Sequence, residues 1–128
     1  ILTEELGILH AVEFAGHQIN PFQYIENPDI FVSSSRFEGF SNVIIESLAN
    51  GIPVVATDCP SGNREVIRDG KNGWLSSMEG DIINNLTNTI VFSIENYKNL
   101  DMAKEKAIVI EKFNIKNIVL EYENLFHS

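Results

Sequence analysis

Two periodicities alternate along the chain. Short, unbroken apolar runs stand between segments whose apolar residues recur every three or four positions. "DIFVSSS" (residues 29–35) and "IPVVATD" (52–58) are rich in β-branched residues, as strands buried on both faces are. "AVEFAG" (11–16) reads as a shorter strand ending in glycine, and "GWLSS" (73–77) as a last one. "ILTEELGI" (1–8) reads as the end of a helix closed by Gly7. "NPFQYIEN" (20–27) opens with an Asn cap and Pro at the first helical position, which predicts a short helix. "SNVIIESLAN" (41–50) is a helix with Ser41 or Asn42 as its N-cap. "PSGNREVIRDGKNG" (60–73) holds a loop, a helical turn and a Gly-rich turn. From Asp81 onward the pattern is helical, with breaks near Tyr97 and near residues 113–114.

Apolar strands separated by helices predict a mostly parallel sheet covered on both faces, a doubly wound α/β domain. Such sheets bind ligands beyond the carboxyl ends of their strands. The loops after Gly16, Ser35 and Asp58 stand there.

Composition narrows the picture. The 128 residues suffice for one core. A net charge of −9 argues against a general nucleic-acid or anionic-membrane surface, though not against a local anion site made of backbone N–H groups. Cys59 is the only cysteine, so no intrachain disulfide forms and a reducing compartment fits best. No apolar run approaches the ~20 residues of a membrane-spanning helix. The chain opens without Met and mid-pattern, which suggests a piece of a longer protein.

The chemistry concentrates in "RFEGFSNVIIESLANG" (36–51). On a helical wheel Ile44, Ile45, Leu48 and Ala49 share the core side. Glu46 falls opposite, near Asn42, Val43 and Asn50. Glu46 has an ordinary reading as a solvated helix carboxylate, and Glu38 one as a charge complementing the helix N-terminus. Gly39 allows a turn or a close backbone approach. The functional reading joins them. The first N–H groups of the helix, from Phe40 to Val43, lack intrahelical acceptors and suit a phosphate. Carboxylates flanking a phosphate suit neutral, hydroxyl-rich neighbours, and a nucleotide-sugar places a ribose and a hexose on either side of its diphosphate.

Glu38 and Glu46 are separated by seven residues in "EGFSNVIIE". This resembles the E-x7-E motif of retaining glycosyltransferases of the GT-B fold, glycosyltransferase family 4. "NPDIFVSSSRFEGF", "ANGIPVVATD" and "PSGNREVIRDGKNGWL" resemble the family's flanking segments in the right order. The resemblance implies a Rossmann-like, C-terminal donor-binding domain over residues 1–128, with its first strands and the acceptor-binding N-terminal domain lying upstream. It implies that the whole enzyme moves a hexose from a nucleoside-diphosphate sugar to a glycan or lipid-linked acceptor with retention, in polysaccharide biosynthesis. It implies that Glu46 accepts hydrogen bonds from the ribose diol and that Glu38 is the catalytic carboxylate at the hexose, acting either as an acceptor of hexose hydroxyls or as a nucleophile. Gly39, Phe40 and Ser41 match the loop approaching hexose and phosphate, and Asn42 and Val43 the helix start beneath the diphosphate. His17 and Gln18 follow a strand end where the family meets the nucleobase, although His17 also reads as a surface loop residue. A cytoplasmic enzyme is implied, with any membrane attachment made through the upstream half.

No segment resembles the loop that carries the family's diphosphate-binding Arg and Lys. Arg36 reads as a loop residue, and Arg64 as a partner of Glu65, Asp69 or solvent. Ser61 stands where the family commonly has a second glycine. His10, His17 and His127 have no metal spacing, and no D-x-D pair is present, so no metal cofactor is expected. No G-x-G-x-x-G follows a strand and no glycine elbow frames a serine, which disfavours dinucleotide oxidoreductases and hydrolases. The alternative to a transferase is a non-catalytic α/β module that binds a nucleotide-sugar or a protein.

Overall fold

The computed structural model describes residues 1–23, 27–60 and 62–126. Three parallel strands form the sheet in the order β1 (Phe31–Ser33), β2 (Val54–Thr57), β3 (Gly73–Ser76). Val55 lies beside Val32 on one side and Trp74 on the other. The α/β class and the parallel sheet agree with the sequence pattern. The strands are shorter than the apolar runs, because a residue counts as strand only where a neighbour receives its ladder bonds.

Six α-helices accompany the sheet among the described residues: α1 (Leu2–Glu5), α2 (Asn42–Ala49), α3 (Asn63–Val66), α4 (Ile82–Asn96), α5 (Met102–Lys112) and α6 (Ile115–Phe126). The tail breaks as its pattern predicts, at a 3-10 turn over Tyr97–Asn99 and at Phe113, where α5 ends. Two expected elements differ. Residues 11–16 form no strand; Ala11 closes a 3-10 turn and the rest is irregular and exposed. Alternating apolar residues make a strand only with a partner to pair with, and none of the described strands lies beside this segment. The expected helix over 20–27 is a 3-10 turn at Pro21–Gln23, and residues 24–26 lie outside the described residues.

The two faces of the sheet are covered by different helices. Val54 and Ala56 point into a cluster with Ile44 and Leu48 of α2, Val66 at the end of α3, Ile67 just after it, and Val109 of α5. Ile44 and Leu48 are fully buried, each contributing roughly 1.5–3 kcal/mol. Val55 and Trp74 point the other way. There α4 covers β2 and β3, and Phe92 meets the Trp74 ring edge-on at 6.2 Å.

The stop of α2 aims the chain into β2. Gly51 has φ +80°, and its N–H bonds the Leu48 carbonyl at 2.9 Å. The Ile52 N–H bonds the Ser47 carbonyl at 3.0 Å, completing a Schellman cap, with Ile52 buried beyond it. Among the described residues no helix is long and apolar enough to cross a membrane.

Candidate functional site

The loop leaving β1 runs over the carboxyl edge of the sheet and enters α2 there. Ser41 is the N-cap, with extended backbone at φ −90°, ψ 95°. Its carbonyl accepts the first bonds of the helix, from Ile44 at 3.2 Å and Ile45 at 3.3 Å. The N–H groups of Asn42 and Val43 therefore open the helix ahead of its own ladder. The Ser41 hydroxyl makes no capping bond, and its oxygen is buried without a partner among the described residues.

Around this helix start the expected residues fall as follows. Glu38 is half-buried and Glu46 is exposed on the second turn. Asn42 and Val43 are exposed on the same side of the helix as Glu46. The wheel reading therefore holds for Glu46 and for the core pair Ile44 and Leu48, while Ile45 and Ala49 are half-buried. Ser47 is an unexpected member of the core. It is tolerated because its hydroxyl donates to the Val43 carbonyl at 2.8 Å.

Gly39 is informative because the fold does not require it. Its φ is not left-handed, and among the described residues nothing lies within 4 Å of where a Cβ would stand. The space in front of Gly39 is open. Phe40 turns its ring away, against Phe113 at 5.9 Å and 60°. Phe40 and Phe113, with Asn42, Ile45, Glu46 and Ile118, line a cavity of about 280 Å³ beside α2. Thus Glu38 through Val43 and Glu46 are brought together by one loop and one helix. His17 and Gln18 lie elsewhere in sequence, in the irregular segment after Gly16. Gln18 donates to its own loop, at the Ala15 carbonyl 2.6 Å away, and no hydrogen bond links either residue to the helix start among the described residues.

The strand ends carry further polar groups. The Thr57 hydroxyl donates to the Ser35 carbonyl, joining the ends of β1 and β2. Arg36 is exposed and, with Ser34, Thr57 and Ile82, lines a cavity of about 240 Å³ toward the start of α4. Arg64 does not pair with Glu65 or Asp69. Its guanidinium makes a two-pronged contact with Asp58, the residue after β2. Glu65 and Asp69 are closer in sequence, but Asp58 faces α3 once the chain turns back over the sheet. Among the described residues no three of His, Cys, Asp or Glu converge as a metal site; His127 and Ser61 lie outside them.

The Arg64 hydrogen bonds hold the Asp58 carboxyl below its ordinary range, against partial burial, which pushes it up. A carboxylate with a depressed folded pKa stabilises the fold above its unfolded value, about 3.9, and loses that contribution as pH falls through the folded pKa. Arg64→Ala is therefore expected to lower the melting temperature at neutral pH, with the gap to the parent closing below about pH 4. Melting curves between neutral and acidic pH check this; a gap undiminished in acid would assign the loss to something other than the ion pair.

Sequence reasoning missed Gly62 and Phe113, both of which touch the 38–41 loop from outside. Gly62 sits at the N-cap of α3 with φ +79°. A Cβ there would stand 2.2 Å from the Gly39 carbonyl oxygen.

The family model described as "Glycosyl transferases group 1" matches residues 2–96. The chain is 35% identical over 127 residues to the N-acetylgalactosamine-N,N'-diacetylbacillosaminyl-diphospho-undecaprenol 4-alpha-N-acetylgalactosaminyltransferase of Campylobacter jejuni, covering 94% of this chain and 34% of that protein. It is 29% identical to the poly(ribitol-phosphate) alpha-N-acetylglucosaminyltransferase of Staphylococcus aureus, covering 99% of this chain and 26% of that one. Among solved structures, it superposes on the lipopolysaccharide outer core galactosyltransferase WaaB, apo form, with a TM-score of 0.75 and 30% identity, over 88% of this chain and 32% of that one. It superposes on TarM with a TM-score of 0.79 and 26% identity, over 99% and 26% of the two chains. The chain spans about a third or less of the length of these relatives. The likeness agrees with the Rossmann-like half of a GT-B architecture expected from the sequence. The chain belongs to the glycosyl transferases group 1 family.

Proposed function

We propose that this chain is the donor-binding part of a larger, retaining hexosyltransferase of glycosyltransferase family 4. In this reading a nucleoside-diphosphate sugar lies across the start of α2. The diphosphate faces the N–H groups of Asn42 and Val43, where the helix dipole favours negative charge. The Glu46 carboxylate accepts the two ribose hydroxyls, and Glu38 faces the hexose. In the transfer, the bond between the anomeric carbon and the diphosphate oxygen breaks, with its electron pair leaving on the diphosphate. The acceptor hydroxyl oxygen forms the new bond, and its proton passes to the departing diphosphate. Charge develops on that diphosphate, so donors fixed beforehand at the helix start act most strongly in the transition state. The acceptor is a glycan or a lipid-linked sugar. The relatives' names refer to acceptors of these kinds, a diphospho-undecaprenol-linked sugar in one and a poly(ribitol-phosphate) in another. An upstream domain brings that acceptor, together with the basic residues for the diphosphate, and the enzyme works in the cytoplasm.

The observation that carries this reading is Gly39, which stands in the loop just before α2 and between the two glutamates in sequence, with nothing among the described residues within 4 Å of where a Cβ would stand. A glycine demanded neither by its backbone angles nor by protein packing leaves room for a ligand to approach the main chain. The reading requires no metal, because main-chain donors and cations neutralise the diphosphate. The test is a product assay with the full-length enzyme. Transfer is expected with the donor's anomeric configuration kept in the product, and with turnover unchanged by EDTA. An inverted product, or activity lost to EDTA and restored by manganese, would contradict the proposal.

A further inference from the structure

We propose that Gly62 is a positioning residue for the 38–41 loop, fixing the height of the Gly39–Phe40 main chain over the start of α2. This rests on the donor-site reading given above. Two backbones meet here without a side chain between them. A Cβ on Gly62 would lie 2.2 Å from the Gly39 carbonyl oxygen, 3.0 Å from its carbon and 3.4 Å from the Phe40 Cα. Backbone cannot swing aside as the end of a flexible side chain can, so any larger residue must lift the 39–40 peptide or push α3 back.

Pushing α3 back is the harder of the two. The next residue, Asn63, is fully buried, and its amide donates to the Thr57 carbonyl at 2.9 Å and toward the Cys59 sulfur at 3.4 Å. Arg64 adds its two contacts to Asp58. Gly62 is thus fastened to the end of β2, the centre of the sheet, and acts as a fixed floor. The opposite side of the loop is held by Phe113, whose ring packs on Phe40. The Lys112 ammonium lies 5.2 Å from the Phe113 ring and also donates to the Glu65 carbonyl at 3.0 Å, joining the end of α5 to α3. The loop sits between two holds tied to each other, while Gly39 stays open in front. Such an arrangement fixes the main chain that would face the hexose, and the atoms nearest a Cβ on Gly62 belong to Gly39 and Phe40 rather than to Glu46, a turn further along α2.

This difference is measurable in the full-length enzyme. Gly62→Ala is expected to lower kcat at least ~tenfold while nucleoside-diphosphate affinity stays within about twofold, since misplacing a positioned group costs rate rather than ground-state binding. Phe113→Leu, which loosens the other hold without straining any backbone, is expected to give the same split with a smaller loss. Phe113→Tyr, which keeps the ring, should restore turnover. Full turnover in a folded Gly62→Ala enzyme overturns the proposal, as do equal losses of affinity and turnover. Should Gly62→Ala fail to fold, the Phe113 pair decides: a loss in Phe113→Leu recovered in Phe113→Tyr supports the positioning role, and unchanged turnover overturns it. Glu46→Ala, measured in parallel, separates the two readings. If it weakens diphosphate binding while Gly62→Ala is silent, the positioning role alone fails. If Glu46→Ala leaves diphosphate binding unchanged, the donor-site reading fails and this proposal with it.

Discussion

Arg68→Ala is expected to destabilise the domain by about 2–3 kcal/mol, although half of the arginine side chain is exposed. The reason is its partner. Glu105 on α5 is only 4% exposed, and its carboxylate accepts two hydrogen bonds from the Arg68 guanidinium, one at 3.1 Å from Nε and a closer one from Nη2. Removing one member of an enclosed ion pair costs about 3–5 kcal/mol, because a buried charge is left without compensation. Water reaching through the exposed arginine position reduces that figure here. In a chain of this size the loss corresponds to a fall of roughly 10 °C in melting temperature. The double variant Arg68→Met, Glu105→Leu removes both charges and is expected to recover most of it. Thermal melts of the three proteins decide. A melting temperature for Arg68→Ala within about 1 °C of the parent would show that the pair is solvated in solution and contributes little. The pair also matters for the site, because it fastens α5 to the segment after α3, and the last turn of α5 leads into Phe113.

Replacing the two glutamates should give different kinetic signatures if they face different parts of the donor. Glu46→Ala is expected to weaken the nucleoside diphosphate and the intact donor alike. Loss of charge-assisted hydrogen bonds to a ribose costs about 1.5–3 kcal/mol, roughly tenfold to a hundredfold in affinity. It should also narrow the preference for ribose over 2′-deoxyribose, since one acceptor of that hydroxyl is gone. Glu38→Ala should leave diphosphate affinity nearly unchanged, because no hexose is present to meet it. Its loss should fall on turnover, as for any interaction stronger in the transition state than in the ground state. Titrations with diphosphate and donor, together with steady-state rates, measure both. Small and equal effects in folded variants would reduce both residues to surface carboxylates.

The architecture was legible where burial is continuous. "VVAT" in β2 is buried at every position, and its apolar run marks it as the central strand. The cap of α2 at Ser41, its stop at Gly51 and both breaks in the tail are local signals of backbone chemistry, and each lies where the pattern puts it. The segment 11–16 was misread because pairing is a property of two strands, whereas alternation is a property of one. Buried Ser47 and Glu105 were also hidden. Each looks like a surface residue until the Val43 carbonyl or Arg68 is seen to satisfy it.

The candidate site was legible only in part, for the same reason. One loop and one helix carry Glu38 through Glu46, so spacing alone brings them together. The contacts that hold that loop come from far along the chain. Gly62 and Phe113 have no pattern that announces a contact with Gly39 or Phe40. The nearest hint is a glycine directly before a helical turn in "SGNREV", which marks an unusual backbone without saying what lies against it. Arg64 shows the converse failure, since its partner Asp58 is reached only because the chain folds back over β2.

The central claim, that the start of α2 receives the diphosphate of a nucleotide-sugar, is tested most directly by a residue-resolved NMR titration of this chain with a nucleoside-diphosphate sugar. The account predicts weak but saturable shifts concentrated at the amides of Gly39, Phe40, Ser41, Asn42 and Val43, and extending to Glu46. Shifts concentrated instead at the opposite end of the sheet, around the cavity of about 440 Å³ lined by Phe22, Asp29, Asn50 and Tyr97, would contradict it. So would the absence of any selective shift at the helix start.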